Sequence, residues 1–148
     1  MILLIEDDLV DAMTVKRALD EIGVPEGILH LSNGEEALDY LRSDVNQLPY
    51  LILLDLNMPK MNGIDFLRHI KADECLASIP VIVLSTSKDE RDIDQSFQSS
   101  VAGYMTKPLD FDSFIQKIRT IEDYWHLNRL PGEIQEMKYA GFGTHSSR

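Results

Sequence analysis

Short, unbroken apolar runs alternate along this chain with stretches whose apolar residues recur at helical spacing. Ile2–Ile5, Tyr50–Leu54 and Val81–Leu84 are strong runs; Ile28–Leu31 and Val101–Met105 are weaker ones. Runs apolar at every residue, instead of every second one, fit strands buried on both faces. Between them, Asp8 to Ile22 carries Leu9, Ala12, Met13, the Lys16 stem, Leu19 and Ile22 at helical spacing and stops at Gly23. Glu35–Leu41 sets Ala37, Leu38 and Leu41 on one face, and Ile64–Ala72 sets Phe66, Leu67 and Ile70 inward. Asp89–Ser99 offers only Ile93 and Phe97 as anchors. Asp110 caps a long last helix striped with Phe111, Phe114, Ile115, Ile118, Ile121 and Trp125. Asn33-Gly34, Met58-Pro59 and Asn62-Gly63 break the chain between elements. Five strands alternating with five helices predict parallel β-α units, with helices on both faces of one sheet. From about Leu130 the pattern fails, so residues 1–131 are read as one domain and 132–148 as a partly disordered tail, Gly/Ser-rich from Gly141.

Composition narrows the class. The chain has 148 residues, 44% hydrophobic and 26% charged, which is the balance of a soluble globular domain. No apolar run approaches the ~18–20 residues that span a bilayer. The apolar start lacks a basic flank and meets Glu6-Asp7-Asp8 at once, so it reads as a strand and not as a signal peptide. Cys75 is the single cysteine, which excludes an internal disulfide and a cysteine metal site and fits a reducing cytoplasm. The net charge of −11 disfavours nucleic acid and anionic membrane as partners.

The chemistry sits past the strand ends. In open parallel sheets, ligands bind beyond the carboxyl ends of the strands. Glu6 and Asp7 follow the first run, Asp55 the third, Ser85 and Thr86 the fourth, and Lys107 the fifth. Crowded carboxylates repel unless a cation intervenes. Lys107 supplies one charge, and a hard dication such as Mg²⁺ would supply the rest. An aspartate beside a cation, a lysine and a hydroxyl is arranged to attack phosphorus and form an acyl phosphate. Asp8, by contrast, is read as the cap of the first helix. His30, His69, His126 and His145 show no ligand spacing.

With these residues in view, the chain resembles the two-component response-regulator receiver family. Ile5-Glu6-Asp7-Asp8 resembles its acidic metal pair, and Leu53 to Pro59 with Asn62-Gly63 its phospho-acceptor loop. Leu84-Ser85-Thr86 resembles its hydroxyl motif and Tyr104-Met105-Thr106-Lys107-Pro108 its aromatic-x-x-Lys-Pro signature. The resemblance covers residues from about 2 to 125 and implies a flavodoxin-like, doubly wound sheet of order 2-1-3-4-5 with five helices.

It further implies that Asp55 accepts the phosphoryl group and that Mg²⁺, or Mn²⁺ in its place, is held by Asp7, by Glu6 through water, by Asp55 and by the Asn57 carbonyl. Lys107, across a cis bond to Pro108, and Ser85 would contact the phosphoryl group, while Tyr104 would turn inward after Ser85. Thr86 departs from the small residue usual there, and Ser87 and Asn57 hold positions that tune dephosphorylation. Ile121 to Trp125 with Leu130-Pro131 resembles the ending of cyanobacterial-phytochrome single-domain regulators. That implies a phytochrome-type histidine kinase and a homodimer; the fourth helix, fifth strand and fifth helix are the expected interface, and output is expected to run through a downstream protein or phosphotransfer partner.

Rival functions make different demands. An aspartate-nucleophile phosphatase needs a second acid two residues beyond the first, where this chain has Asn57. A non-phosphorylated pseudo-receiver, a binding module, would lack the acid pair or the lysine. A transcription factor would carry a DNA-binding domain, and too few residues follow the last helix.

Overall fold

The computed structural model describes residues 1–24 and 27–128; the expected tail at 132–148, Leu130-Pro131 and His145 lie outside them. Ten elements alternate: β1 (Ile2–Ile5), α1 (Leu9–Ile22), β2 (Ile28–Leu31), α2 (Gly34–Arg42), β3 (Leu51–Leu54), α3 (Gly63–Ala72), β4 (Val81–Ser85), α4 (Glu90–Gln98), β5 (Gly103–Thr106) and α5 (Phe111–Leu127). The strands form one parallel sheet in the order β2-β1-β3-β4-β5, as expected. Every residue of β1, β3 and β4 is buried, which is why these strands read as continuous apolar runs. The outer strands β2 and β5 are half-buried throughout.

This order fixes where the helices go. The chain leaves β1 in one direction to reach β2, then crosses back to β3 and continues outward. Right-handed crossovers therefore put α1 on one face and α2, α3 and α4 on the other. The contacts agree: α2 meets α3, α3 meets α4, and α5 returns to pack against α1. Between β1 and β3 the following loops diverge, leaving a crevice at the carboxyl edge of the sheet.

Capping sets the helix starts. Asp8 accepts hydrogen bonds from the Val10 and Asp11 N–H groups at 2.9 and 3.1 Å, so it is the cap of α1, and Gly23 closes the helix with φ 71°. Asn33, Asn62, Asp89 and Asp110 cap the other four helices in the same way.

Two helices are rotated from the expected phase. In α1 the buried residues are Ala12, Val15, Ala18 and Leu19, whereas Leu9 and Met13 are exposed. The stripe that packs inward runs through Val15 and Ala18 instead, which leaves Leu9 and Met13 on the solvent side. In α4 only Ser96 is buried, and Phe97 is 54% exposed. The Ser96 hydroxyl satisfies itself by donating to the Asp92 carbonyl at 2.7 Å. The α5 stripe holds, and it also buries Glu122, which accepts from the Tyr50 hydroxyl at 3.5 Å and meets His126 at 3.1 Å. No helix among the described residues is long and apolar enough to cross a membrane.

Gly63 starts α3 directly against the loop after β3. A Cβ there would lie 2.7 Å from the Leu56 Cα and 2.8 Å from the Asp55 carbonyl oxygen. Alanine is the better helix former by roughly 1 kcal/mol, but backbone atoms cannot yield as a side chain does. Gly63→Ala is expected to cost about 1–3 kcal/mol by overpacking. Urea unfolding of the variant checks this, and a midpoint equal to or above that of the parent refutes it.

Candidate functional site

The crevice collects the polar residues that follow the strands. Glu6 leaves the end of β1 and Asp55 the end of β3, and both are buried; Asp7 is exposed at the mouth. One carboxylate oxygen from each of the three lies within 4.8 Å of the others. At such separations two like charges repel by about 3–4 kcal/mol for an effective dielectric of ~20. The backbone holds them there regardless, because β1 and β3 are locked in register from Ile2↔Leu51 to Ile5↔Leu54. His30 on β2 adds a clamp: its Nε2 lies 2.7 Å from the Glu6 carbonyl oxygen. A carbonyl only accepts, so that ring nitrogen carries the proton.

Lys107 enters from the other side. Its backbone N–H donates to the Ser85 carbonyl at 2.9 Å, continuing the β4–β5 ladder past Ser85↔Thr106. Its side chain is only 9% exposed and its ammonium hydrogen-bonds Glu6, donates to Asp11 Oδ2 at 2.9 Å and lies 3.9 Å from Asp55 Oδ1. The lysine thus reaches the acids as expected, with a stronger hold on Glu6 and Asp11 than on Asp55. No cis peptide bond occurs among the described residues, so the expected cis bond to Pro108 is corrected to trans. Trans is the ordinary preference of an X-Pro bond, and the lysine reaches the crevice without the other isomer.

Ser85 and Tyr104 lie on the same flank. Leu54 pairs with Val83, so Asp55 and Ser85 stand just beyond that pair at the carboxyl edge. Ser85 is fully buried and its Oγ accepts the Ser87 N–H at 3.1 Å. Tyr104, half-buried on β5, donates its hydroxyl to the Ser87 carbonyl at 2.9 Å. Ser87 also donates to Asp92 Oδ2 in α4 at 2.6 Å, which ties Ser85, Tyr104 and α4 through one residue. Asn57 is exposed, and its backbone N–H bonds the Asp55 carboxylate.

Two participants escape a sequence reading. Asp11 looks like an ordinary acid in the first turn of a helix, and no signal in the sequence links it to Lys107. Ser87 stands out in the sequence only by its position two past Ser85, which does not show that it joins β4, β5 and α4.

Electrostatics follow the crowding. Burial pushes Glu6 up to about 8 from 4.5, with Asp55 adding to the rise and the Lys107 hydrogen bond opposing it. Burial also raises Asp55, against the hydrogen bond from Glu6, the Lys107 charge and the Asn57 N–H. Burial alone would lower Lys107, yet its bonds to Asp11 and Glu6 leave it raised and firmly charged. One ammonium cannot balance Glu6, Asp7, Asp11 and Asp55. An all-oxygen set of three carboxylates, with Asp7 exposed to water, fits a hard dication such as Mg²⁺ or Mn²⁺.

Comparison with known proteins agrees with this geometry. The family model described as the response regulator receiver domain matches residues 2–119. The probable methanogenesis regulatory protein FilR2 of Methanothrix harundinacea is 40% identical over 136 residues, 89% of this chain and 88% of that protein. The crystal structure of the phosphorylated cyanobacterial phytochrome response regulator RcpA superposes with a TM-score of 0.83 at 39% identity, covering 88% of this chain and 97% of that one. The Mn²⁺-bound response regulator Rcp1, a protein of Synechocystis, superposes with a TM-score of 0.81 at 34% identity, covering 88% and 98%.

A carboxyl group raised by folding has a defined pH signature. Between 4.5 and about 8 the folded, metal-free chain keeps the Glu6 proton that the unfolded chain releases. Its contribution to stability is complete below that window and is lost as pH rises through it; Asp55, also raised, acts with the same sign. The urea midpoint of EDTA-treated protein is expected to fall across this window, and Mg²⁺ to restore it most at the alkaline end. A midpoint independent of pH and Mg²⁺ would contradict the assignment.

Proposed function

The chain belongs to the response regulator receiver domain family, and on that premise we propose that it takes a phosphoryl group from a histidine kinase onto Asp55 and signals through a protein partner. The observation that carries this reading is the meeting of Glu6, Asp7 and Asp55 with Lys107 in one crevice. The receiver is a signalling protein whose only chemistry is its own phosphorylation and dephosphorylation.

In the proposed step an Asp55 oxygen attacks phosphorus, an acyl P–O bond forms, and the bond from phosphorus to the donor breaks with its electron pair leaving on the donor. Asp7, Glu6 through water, Asp55 and the Asn57 carbonyl would hold Mg²⁺, which neutralises charge on the phosphoryl oxygens when bound. Lys107 neutralises the oxygen nearest it, and the Ser85 hydroxyl donates to another. For Ser85 to turn toward the phosphoryl group its Oγ must give up the Ser87 N–H. Ser87 holds both the Tyr104 hydroxyl and Asp92 of α4, so that exchange is passed to the surface formed by α4, β5 and α5.

The proposed unit is the receiver at residues 1–131, working in the cytoplasm. Likeness to RcpA and Rcp1 supports a phytochrome-type kinase as the donor. Phe97 and Tyr124 stand exposed on α4 and α5, which supports that face as the homodimer interface.

Incubation with acetyl phosphate and Mg²⁺ is expected to add one phosphoryl group by intact mass, and Asp55→Asn or omission of Mg²⁺ to abolish it. Absence of the adduct in a folded protein would instead favour the pseudo-receiver. Light scattering is expected to find a dimer that Phe97→Asp weakens; a strict monomer with and without beryllofluoride rejects the interface.

A further inference from the structure

Lys107 divides its ammonium unequally among three acids. A lysine has three N–H donors. Two are spent on Glu6 and on Asp11 Oδ2, the latter at 2.9 Å, while Asp55 Oδ1 at 3.9 Å lies beyond hydrogen-bonding range. Glu6 and Asp55 come from strand ends and are fixed by the sheet. Asp11 does not: it sits on α1, 96 residues from its partner, with a side chain 40% exposed. Asp11 is within reach of water, so it can release Lys107 and be resolvated at modest cost, which a buried acid could not.

We propose that Asp11 is a positioning residue that holds the Lys107 ammonium on the α1 side of the crevice and so sets how readily it moves to a phosphoryl group on Asp55. The inference rests on the reading of Asp55 as phospho-acceptor. When a phosphoryl group arrives, its oxygens compete with Asp11 for the same ammonium. Glu6 would serve a cation from the place it already holds beside Asp7 and Asp55, and Asp11 is the acid outside that cluster whose bond Lys107 must give up. Asp11 thereby favours the unphosphorylated state, acting through the lysine and touching neither the phosphoryl group nor the metal.

The test is calorimetric titration with beryllofluoride, a phosphoryl analogue, at saturating Mg²⁺. Asp11→Asn is expected to bind it about fivefold more tightly than the parent, the scale of a partly exposed ion pair, and Asp11→Glu to bind like the parent. In a Lys107→Met background the Asp11→Asn gain is expected to vanish, which separates an effect through the lysine from general loss of negative charge. Equal or weaker binding by Asp11→Asn overturns the proposal, as does a gain that persists without Lys107. If the parent binds and Asp11→Asn does not differ, the receiver reading stands and only this inference falls. A folded parent that binds no beryllofluoride removes both.

Discussion

Lys107 draws together three acids from three different elements across a crevice whose charges it cannot balance. Glu6 is fixed at the end of β1, Asp55 at the end of β3, and Asp11 reaches in from α1. Folding forces the carboxylates together because the hydrophobic register of β1 on β3 leaves no slack. The repulsion is therefore covered by the apolar sheet, and it turns the crevice into a place where added positive charge is welcome. Cation binding and the chemistry at Asp55 both draw on that one imbalance.

Around this fixed centre the chain is unevenly secured. The three central strands are buried on both faces, and Tyr50, Phe66 and Leu41 anchor the layers beside them. On the β4–β5 side, side-chain hydrogen bonds take over from apolar packing. Ser87 gathers Ser85, Tyr104 and Asp92 by hydrogen bonds that can be exchanged one for another. A hydrogen bond traded for another costs little net free energy, whereas a repacked core costs much more. The apolar half presents the acids, and the hydrogen-bonded half joins the crevice to α4 and β5.

Most of the architecture was readable because the strands are apolar at every position and the helices between them carry recognisable caps. The site was readable because the strand-end rule converts Glu6, Asp7, Asp55, Ser85 and Lys107 from scattered residues into one edge. What escaped was rotational phase and long-range reach. Two apolar anchors in α4 could not fix its rotation, and burial chose Ser96 over Phe97. Leu9 and Met13 fit the α1 pattern as well as Val15 and Ala18 do, and the pattern does not show which of these two stripes meets the core. Asp11 already had a local explanation in the helix dipole, which hid its bond to Lys107. The trans bond to Pro108 could not be told from its alternative by residue identity alone.

The polar underside of α4 has a thermal consequence. The heat capacity of exposing a surface grows with its apolar part and is reduced by its polar part. α4 itself buries a serine and leaves Phe97 54% exposed, so its own side of the contact contributes little apolar area on detaching. The share of the stability curve's curvature due to the side chains of α4 is then small beside the share due to β5 and α3 that it covers. The dome of that curve is set by the apolar sheet and the helices that bury their stripes on it, and the composition of α4 can drift with little effect on it.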